Sequence, residues 1–391
     1  VKSLMSLWSC VAHEMSTRCS TSATRDIKTV ASRAEHEGLS FFAITLADYG
    51  KVIQKWLDRG LVVPSDAPSF RKDRLTGLPL FLGGFLGRVF DPVSGVLLED
   101  PCIDSILALR QLTLMFSKIG FPEDPVPNRS LRRAKNRKVV SPSRERRAML
   151  DFLQCEQDVK ASDSLLDPDY LRDFKRISGM LFGDLFAKMD RDVHWGRLVP
   201  KHGPGAVADH LTSNGKYNQR TWPARLERVF PHREFLIPNE SFKDSLEQEL
   251  HILEPGAETP VRVITVPKTL KTPRIIAIEP TAMQYCQQAV LQSFRDSLRE
   301  DGFLSGVIGI DDQVPNRTMA REGSLSGDLA TLDLSEASDR VSNQHVLALF
   351  EDYPALNEAV QSSRSRKADV PGHGVIRLAK FASMGSALCF P

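Results

Sequence analysis

The chain has 391 residues, more than one ordinary hydrophobic core accommodates, so two or three subdomains are expected. With 41% hydrophobic and 26% charged residues it is no disordered or fibrous protein, and a net charge of +2 means that any polyanion footprint must come from local clustering. The longest apolar candidate for a membrane span, Leu78–Phe90, is short, broken by glycines and carries Arg88, and the opening residues lack the apolar core of a signal peptide.

Six cysteines are scattered without a Cys-x-x-Cys pair, which favours reduced thiols and a cytoplasmic setting. Cys10, His13 and Cys19 lack the second ligand pair of a structural zinc site. Residue 1 is Val and the last residues, Leu388 to Pro391, close no element, so the chain is expected to be a fragment.

Taken in order, the residues up to Ser40 are polar and partly helical, with Gly38 as a stop. The run Phe41 to Leu46 reads as a strand. Asp48 to Leu57 reads as a helix that buries Val52, Ile53, Trp56 and Leu57 and ends at Gly60. Leu61 to Gly95 is rich in Pro and Gly and reads as irregular. A helix follows from Cys102 to Lys118, closed by Gly120, and Pro122 to Pro127 is a linker.

The most basic part of the chain comes next: Arg129, Arg132, Arg133, Lys135, Arg137, Lys138, Arg144, Arg146 and Arg147. It reads either as a solvated face or as a sequence-independent contact to a phosphate backbone. Few aromatics interleave it, so base stacking is not implied. Asp167-Pro168 pairs a cap with a first-turn proline and opens a helix to about Met189. In Lys201 to His210, KHGPGAVADH, a Gly-Pro-Gly turn can bring backbone near a phosphate, but such turns are mostly structural, and His202 receives no catalytic role.

Three segments toward the C-terminus carry chemistry. Val261 to Pro280 holds two β-rich runs around a short loop, a hairpin pattern with Lys268, Lys271 and Arg274 at its tip and shoulder. Cations crowded without acidic neighbours repel one another unless solvent or a polyanion such as a triphosphate compensates them. In Leu329 to Val341, Ala330 to Leu332 suit a short buried strand with Asp333 at its carboxyl end, and His345, Val346, Leu349 and Phe350 recur at helical spacing. A carboxylate there is either a turn or cap residue or a ligand for a hard divalent cation. Phe381 to Leu388, FASMGSAL, reads as a Ser-Met-Gly turn entering an apolar helix.

The order of these segments resembles the finger and palm motifs of viral RNA-dependent RNA polymerases. The resemblance is closest to the replicase subunit of the single-stranded RNA bacteriophages, the leviviruses. It is carried by VPKTLKTPRIIAIEP, Asp312-Gln313 with Asn316, REGSLSGDLATLDLSEASD and Ser383-Met384-Gly385, with KHGPGA at Lys201 as a further likeness. It implies an α+β right-hand polymerase with fingers and a partial palm. Residues 1–250 would be an N-terminal and fingers region, 251–302 the fingers hairpin and following helix, and 303–391 the partial palm. The third palm motif and thumb are expected to be absent, because no Gly-Asp-Asp follows the Ser-Met-Gly turn; Gly309 to Asp312 imitates one but precedes Asp333.

The same resemblance makes Asp333 the catalytic carboxylate, holding Mg²⁺ or Mn²⁺ with the Leu334 carbonyl. Lys268, Lys271 and Arg274 would face the NTP phosphates. Ser338 or Asp339 would line the ribose pocket, and Ser383 and Gly385 would contact the template and nascent pair. The implied partners are RNA template, nascent RNA, NTPs, host elongation factors Tu and Ts and a ribosomal protein, in a bacterial cytoplasm with no membrane. Two other readings stand beside it. A non-catalytic RNA-binding protein would explain the basic patches but not Asp333 with its spaced Ser-Met-Gly partner. A reverse transcriptase would want a bulky aromatic after the first aspartate, where LSEASD offers small and polar residues.

Overall fold

The computed structural model describes residues 1–73, 77–119, 142–237, 248–266, 273–334 and 336–389. The Arg129 to Lys138 part of the basic run, the Pro122 to Pro127 linker, Gly120, and the hairpin cations Lys268 and Lys271 lie outside those residues. The chain divides into two units, residues 1–146 with 267–274 and residues 147–266 with 275–391.

The first unit is helical: α1 (Lys2–Arg18), α2 (Thr24–Glu37), α3 (Leu46–Arg59) and α4 (Ile103–Leu114). Trp8, Phe41, Phe42, Trp56, Phe85 and Phe90 fill its core. The Trp8 indole still needs an acceptor when buried, and it donates to the Leu112 carbonyl at 2.8 Å. The strand expected at Phe41 to Leu46 is instead a π-helical turn, Phe41–Thr45, that runs straight into α3. A short all-apolar run has no periodicity to separate strand from buried helix, and here burial on every side decides for helix. Gly60 ends α3 in the left-handed region, as expected.

The second unit contains α5 (Pro142–Ser164, from Arg147 onward), α6 (Pro168–His194), α7 (Thr281–Glu300), α8 (Val314–Ser326), α9 (Ala337–Arg340), α10 (Asn343–Leu349) and α11 (Pro354–Ser363). Asp167 caps α6 by accepting from the Asp169 amide at 2.8 Å, with Pro168 in the first turn. A short parallel pair joins β1 (Thr221–Pro223) to β2 (His251–Leu253). The larger sheet contains β3 (Val261–Val266), β4 (Arg274–Ile278), β5 (Lys367–Val370) and β6 (Gly374–Arg377), in the order β4-β3-β5-β6.

Strands β3 and β5 run parallel with Val261 opposite Ala368, and β5 pairs antiparallel with β6. Val261, Val263, Ala277, Ala368 and Val370 bury one face of this sheet with Met149 and Phe152 of α5. A second core gathers Trp222, Phe230, Met283, Cys286, Leu356 and Val360 around α7 and α11.

Two expectations fail in this unit. Ala330 to Leu332 form no strand; the backbone from Asp328 to Leu334 is irregular and exposed, with Leu332 at 90% and Leu334 at 76% exposure. A strand needs a neighbour to take up its amides and carbonyls, and none pairs with this stretch among the described residues. The Ser-Met-Gly turn does not enter a helix: Phe381 to Cys389 stay in turns and isolated bridges.

Candidate active-site segment

The Ser383-Met384-Gly385 turn is fastened to β4. The Ala277 amide donates to the Met384 carbonyl at 2.8 Å. Gly385 has φ +133°, and a Cβ placed on it would lie 2.0 Å from the Ala277 carbonyl oxygen. Only glycine allows both that torsion and that approach. Arg274, which opens β4, is exposed. The Ser383 hydroxyl is buried without a hydrogen-bond partner among the described residues.

Buried polar groups hold the turn from behind. The Gln287 side-chain oxygen on α7 accepts from the Ser386 hydroxyl at 3.0 Å and the Ala387 amide at 3.1 Å, while its nitrogen donates to Ser363. Gln287 also bonds Glu279, which accepts from the Ser365 hydroxyl at 2.5 Å. Burial pushes the Glu279 carboxyl up to about 7, against the pull of these hydrogen bonds and of Arg225 and Arg364. Arg364 donates to the carbonyls of Leu378 at 3.1 Å, Lys380 at 2.6 Å and Phe381 at 2.8 Å. Burial lowers its pKa to about 10, so it stays charged at neutral pH.

The residues after Asp333 meet the strand that leads into the turn. The Phe381 amide donates to the Val341 carbonyl at 2.7 Å, and Ser342 bridges Lys380 in antiparallel sense. Asp339 accepts from Lys380 Nζ at 2.9 Å, and Ser338 is hydrogen-bonded to Cys389. Thus Ser338, Asp339, Ser383 and Gly385 are drawn into one neighbourhood of the second unit. Asp333 and Leu334 are exposed on the irregular stretch before it.

No group of three or more His, Cys, Asp or Glu side chains able to hold a metal forms among the described residues. Hard divalent cations take six or more oxygens, usually from more than one carboxylate, and Asp333 with the Leu334 carbonyl does not amount to such a set. The imitation Gly-Asp-Asp is structural. Asp311 pairs with Arg295 at 2.9 Å and Arg299 at 2.7 Å, and Asp312 accepts from the Val314 amide at the start of α8.

The KHGPGAVADH segment braces α7. The Asp209 carboxylate accepts from the Thr281 amide at 2.7 Å, and the Ala208 amide donates to the Glu279 carbonyl at 2.8 Å. Lys216 Nζ donates to the Gly203 and Gly205 carbonyls, each at 2.5 Å, and His202 stacks on Tyr285 at 4.4 Å. In the basic run, Arg147 is paired with Asp151 at 2.9 Å.

Sequence reasoning missed Lys380, Glu156, Glu279, Gln287 and Arg364. For Lys380 a signal existed: it is the single charge in the apolar run Leu378-Ala379-Lys380-Phe381-Ala382. Such a lysine is buried and paired or it breaks the run.

Residues 249–391 match the family model described as RNA replicase, beta-chain. The chain is similar there to the RNA-directed RNA polymerase subunit beta of Escherichia virus Qbeta, 40% identical over 131 residues, or 33% of this chain and 21% of the relative. The subunit from Enterobacteria phage SP is 38% identical over 129 residues, with the same coverage of 33% and 21%. The RNA-directed RNA polymerase beta chain of Escherichia phage MS2 is 36% identical over 128 residues, covering 33% of this chain and 22% of the relative. The matched stretch therefore spans about a fifth of the length of these relatives.

Proposed function

We propose that this chain is part of an RNA-directed RNA polymerase that copies the genome of a positive-strand RNA phage. The observation that carries the reading is the fastening of the Ser383–Gly385 turn to β4, inside the segment that matches the replicase family. It ties the turn, whose family counterpart serves the template, to Ala277 of the strand that follows the triphosphate-binding motif.

In this reading Arg274, with Lys268 and Lys271, grips the triphosphate of the incoming NTP; arginine does so bidentately and lysine as a point charge. Ser383, whose buried hydroxyl has no hydrogen-bond partner among the described residues, contacts the template or nascent strand. Gly385 keeps the backbone close to the strand, and Ser338 or Asp339 lines the ribose pocket. Asp333 and the Leu334 carbonyl supply part of a site for Mg²⁺ or Mn²⁺, which would lend electrostatic stabilisation to phosphoryl transfer. No group of three or more His, Cys, Asp or Glu side chains gathers for a metal among the described residues, so the roles assigned to this chain stop at binding and orientation.

The proposed partners are RNA template, nascent RNA and NTPs, with host elongation factors Tu and Ts and a ribosomal protein as further ones, and the proposed setting is the bacterial cytoplasm. Among the described residues no helix is long and apolar enough to cross a membrane. Template-directed incorporation by the full-length protein and by Arg274→Ala tests the reading. The substitution is expected to raise the apparent KM for all four NTPs alike, since one charge-assisted contact is worth on the order of 1.5–3 kcal/mol. A defect confined to one base, or unchanged NTP dependence, would remove the triphosphate from this hairpin.

A further inference from the structure

Lys380 is fully buried, at 0% exposure. An ammonium out of water needs partners on every side, and Lys380 has three. Its Nζ lies 2.9 Å from Asp339 Oδ1, 3.4 Å from Glu156 Oε1 and 3.4 Å from the centroid of the Phe152 ring. Glu156 by itself would neutralise the charge, and its other oxygen is taken by the Ala379 amide at 2.7 Å. Asp339 places a second carboxylate on the same ammonium. Asp339 differs from Glu156 in being partly open, at 18% side-chain exposure against 1%. Its Oδ2 has no protein partner among the described residues.

The backbone of Lys380 is held as firmly as its side chain. Its carbonyl accepts from Arg364, and it bridges Ser342 across the gap to the segment carrying Asp339. Ser383 follows shortly after on the same stretch. One residue thus fixes the position of a half-open carboxylate relative to the Ser-Met-Gly turn.

We propose that Lys380 is the positioning residue for sugar recognition: it holds one oxygen of Asp339 so that the other accepts a hydrogen bond from the ribose 2′-hydroxyl of an incoming nucleotide. This rests on the polymerase reading above. A site built to bond a substrate hydroxyl discriminates strongly against the analogue without it, because its own polar group is then left unpaired. A carboxylate free to swing to solvent loses that penalty.

The test is the ratio of kcat/KM for UTP to that for dUTP in template-directed synthesis by the full-length protein, with thermal unfolding as the check on folding. Lys380→Arg keeps the charge but displaces it, and is expected to lower the ratio at least roughly tenfold, with KM for UTP raised more than kcat is lowered. Asp339→Asn is expected to lower the ratio likewise, and Lys380→Arg is expected to add nothing in the Asp339→Asn background. Phe152→Leu removes the ring under Nζ and leaves every charge; it is expected to shift the ratio the same way by a smaller factor, and it decides the matter if Lys380→Arg does not fold. Folded variants that are slower on both nucleotides at an unchanged ratio would overturn the role of Lys380 and leave the polymerase reading standing. Absence of templated synthesis by the unmodified protein would overturn both.

Discussion

Glu279 shows how much of this molecule turns on single buried groups. Its carboxyl is held at about 7 by burial, among Ser365, Gln287, Arg225 and Arg364. A carboxyl raised in the folded state binds its proton more tightly there than in the unfolded chain. Its contribution to stability is fully present below the ordinary value of 4.5 and is lost as pH rises through about 7. Asp26 in the other unit, raised to about 6 by burial, acts in the same direction but is spent by that pH. Glu279→Gln is therefore expected to flatten the fall in unfolding free energy between pH 6 and 7. The whole effect from pH 4.5 upward would be at most on the order of 3 kcal/mol. Urea unfolding at a series of pH values measures it; an unchanged slope would show that Glu279 does not titrate there.

The same scale shows what the sequence can and cannot reveal. The Ser-Met-Gly turn was legible because its residue types are themselves the signal. Lys380, Glu156 and Glu279 were not, since what makes them notable is desolvation by elements distant in the chain. Residue type alone reads a lysine or glutamate as solvent-facing.

At the level of elements, legibility followed periodicity and punctuation. Asp167-Pro168 and Gly60 marked real helix ends, and the β-rich runs at Val261 and Arg274 became adjacent strands. Phe41 to Leu46 failed because a short apolar run fits strand and buried helix equally. Ala330 to Leu332 failed for another reason: strand propensity is realised only against a neighbour, and the exposed Leu332 has none among the described residues. The turn against β4 gives an element-scale test. Gly385→Ala must relieve a 2.0 Å approach to the Ala277 carbonyl and hold a side chain at φ +133°. It is expected to destabilise the second unit by about 2–4 kcal/mol, read by urea unfolding, through combined overpacking and backbone strain. A loss under about 0.5 kcal/mol would mean that the turn is not fastened to the strand in solution.

For the whole molecule, the replicase reading joins a family match over residues 249–391 to the pairing of Asp339 with Lys380, on the stretch that leads into the Ser383–Gly385 turn. Asp333 lies on an exposed, irregular stretch that pairs with no strand among the described residues, and the reading depends on it most. The direct measurement is RNA-templated nucleotide incorporation with Mg²⁺ by the full-length protein and by Asp333→Asn. Asparagine keeps the size and one carbonyl oxygen but removes the charge that draws a hard cation. The expected result is templated synthesis by the unmodified protein and a loss of several orders of magnitude in the variant, with folding and RNA binding retained. If Asp333 only shapes a turn, asparagine serves almost as well, and synthesis by the variant at the unmodified rate would contradict the assignment.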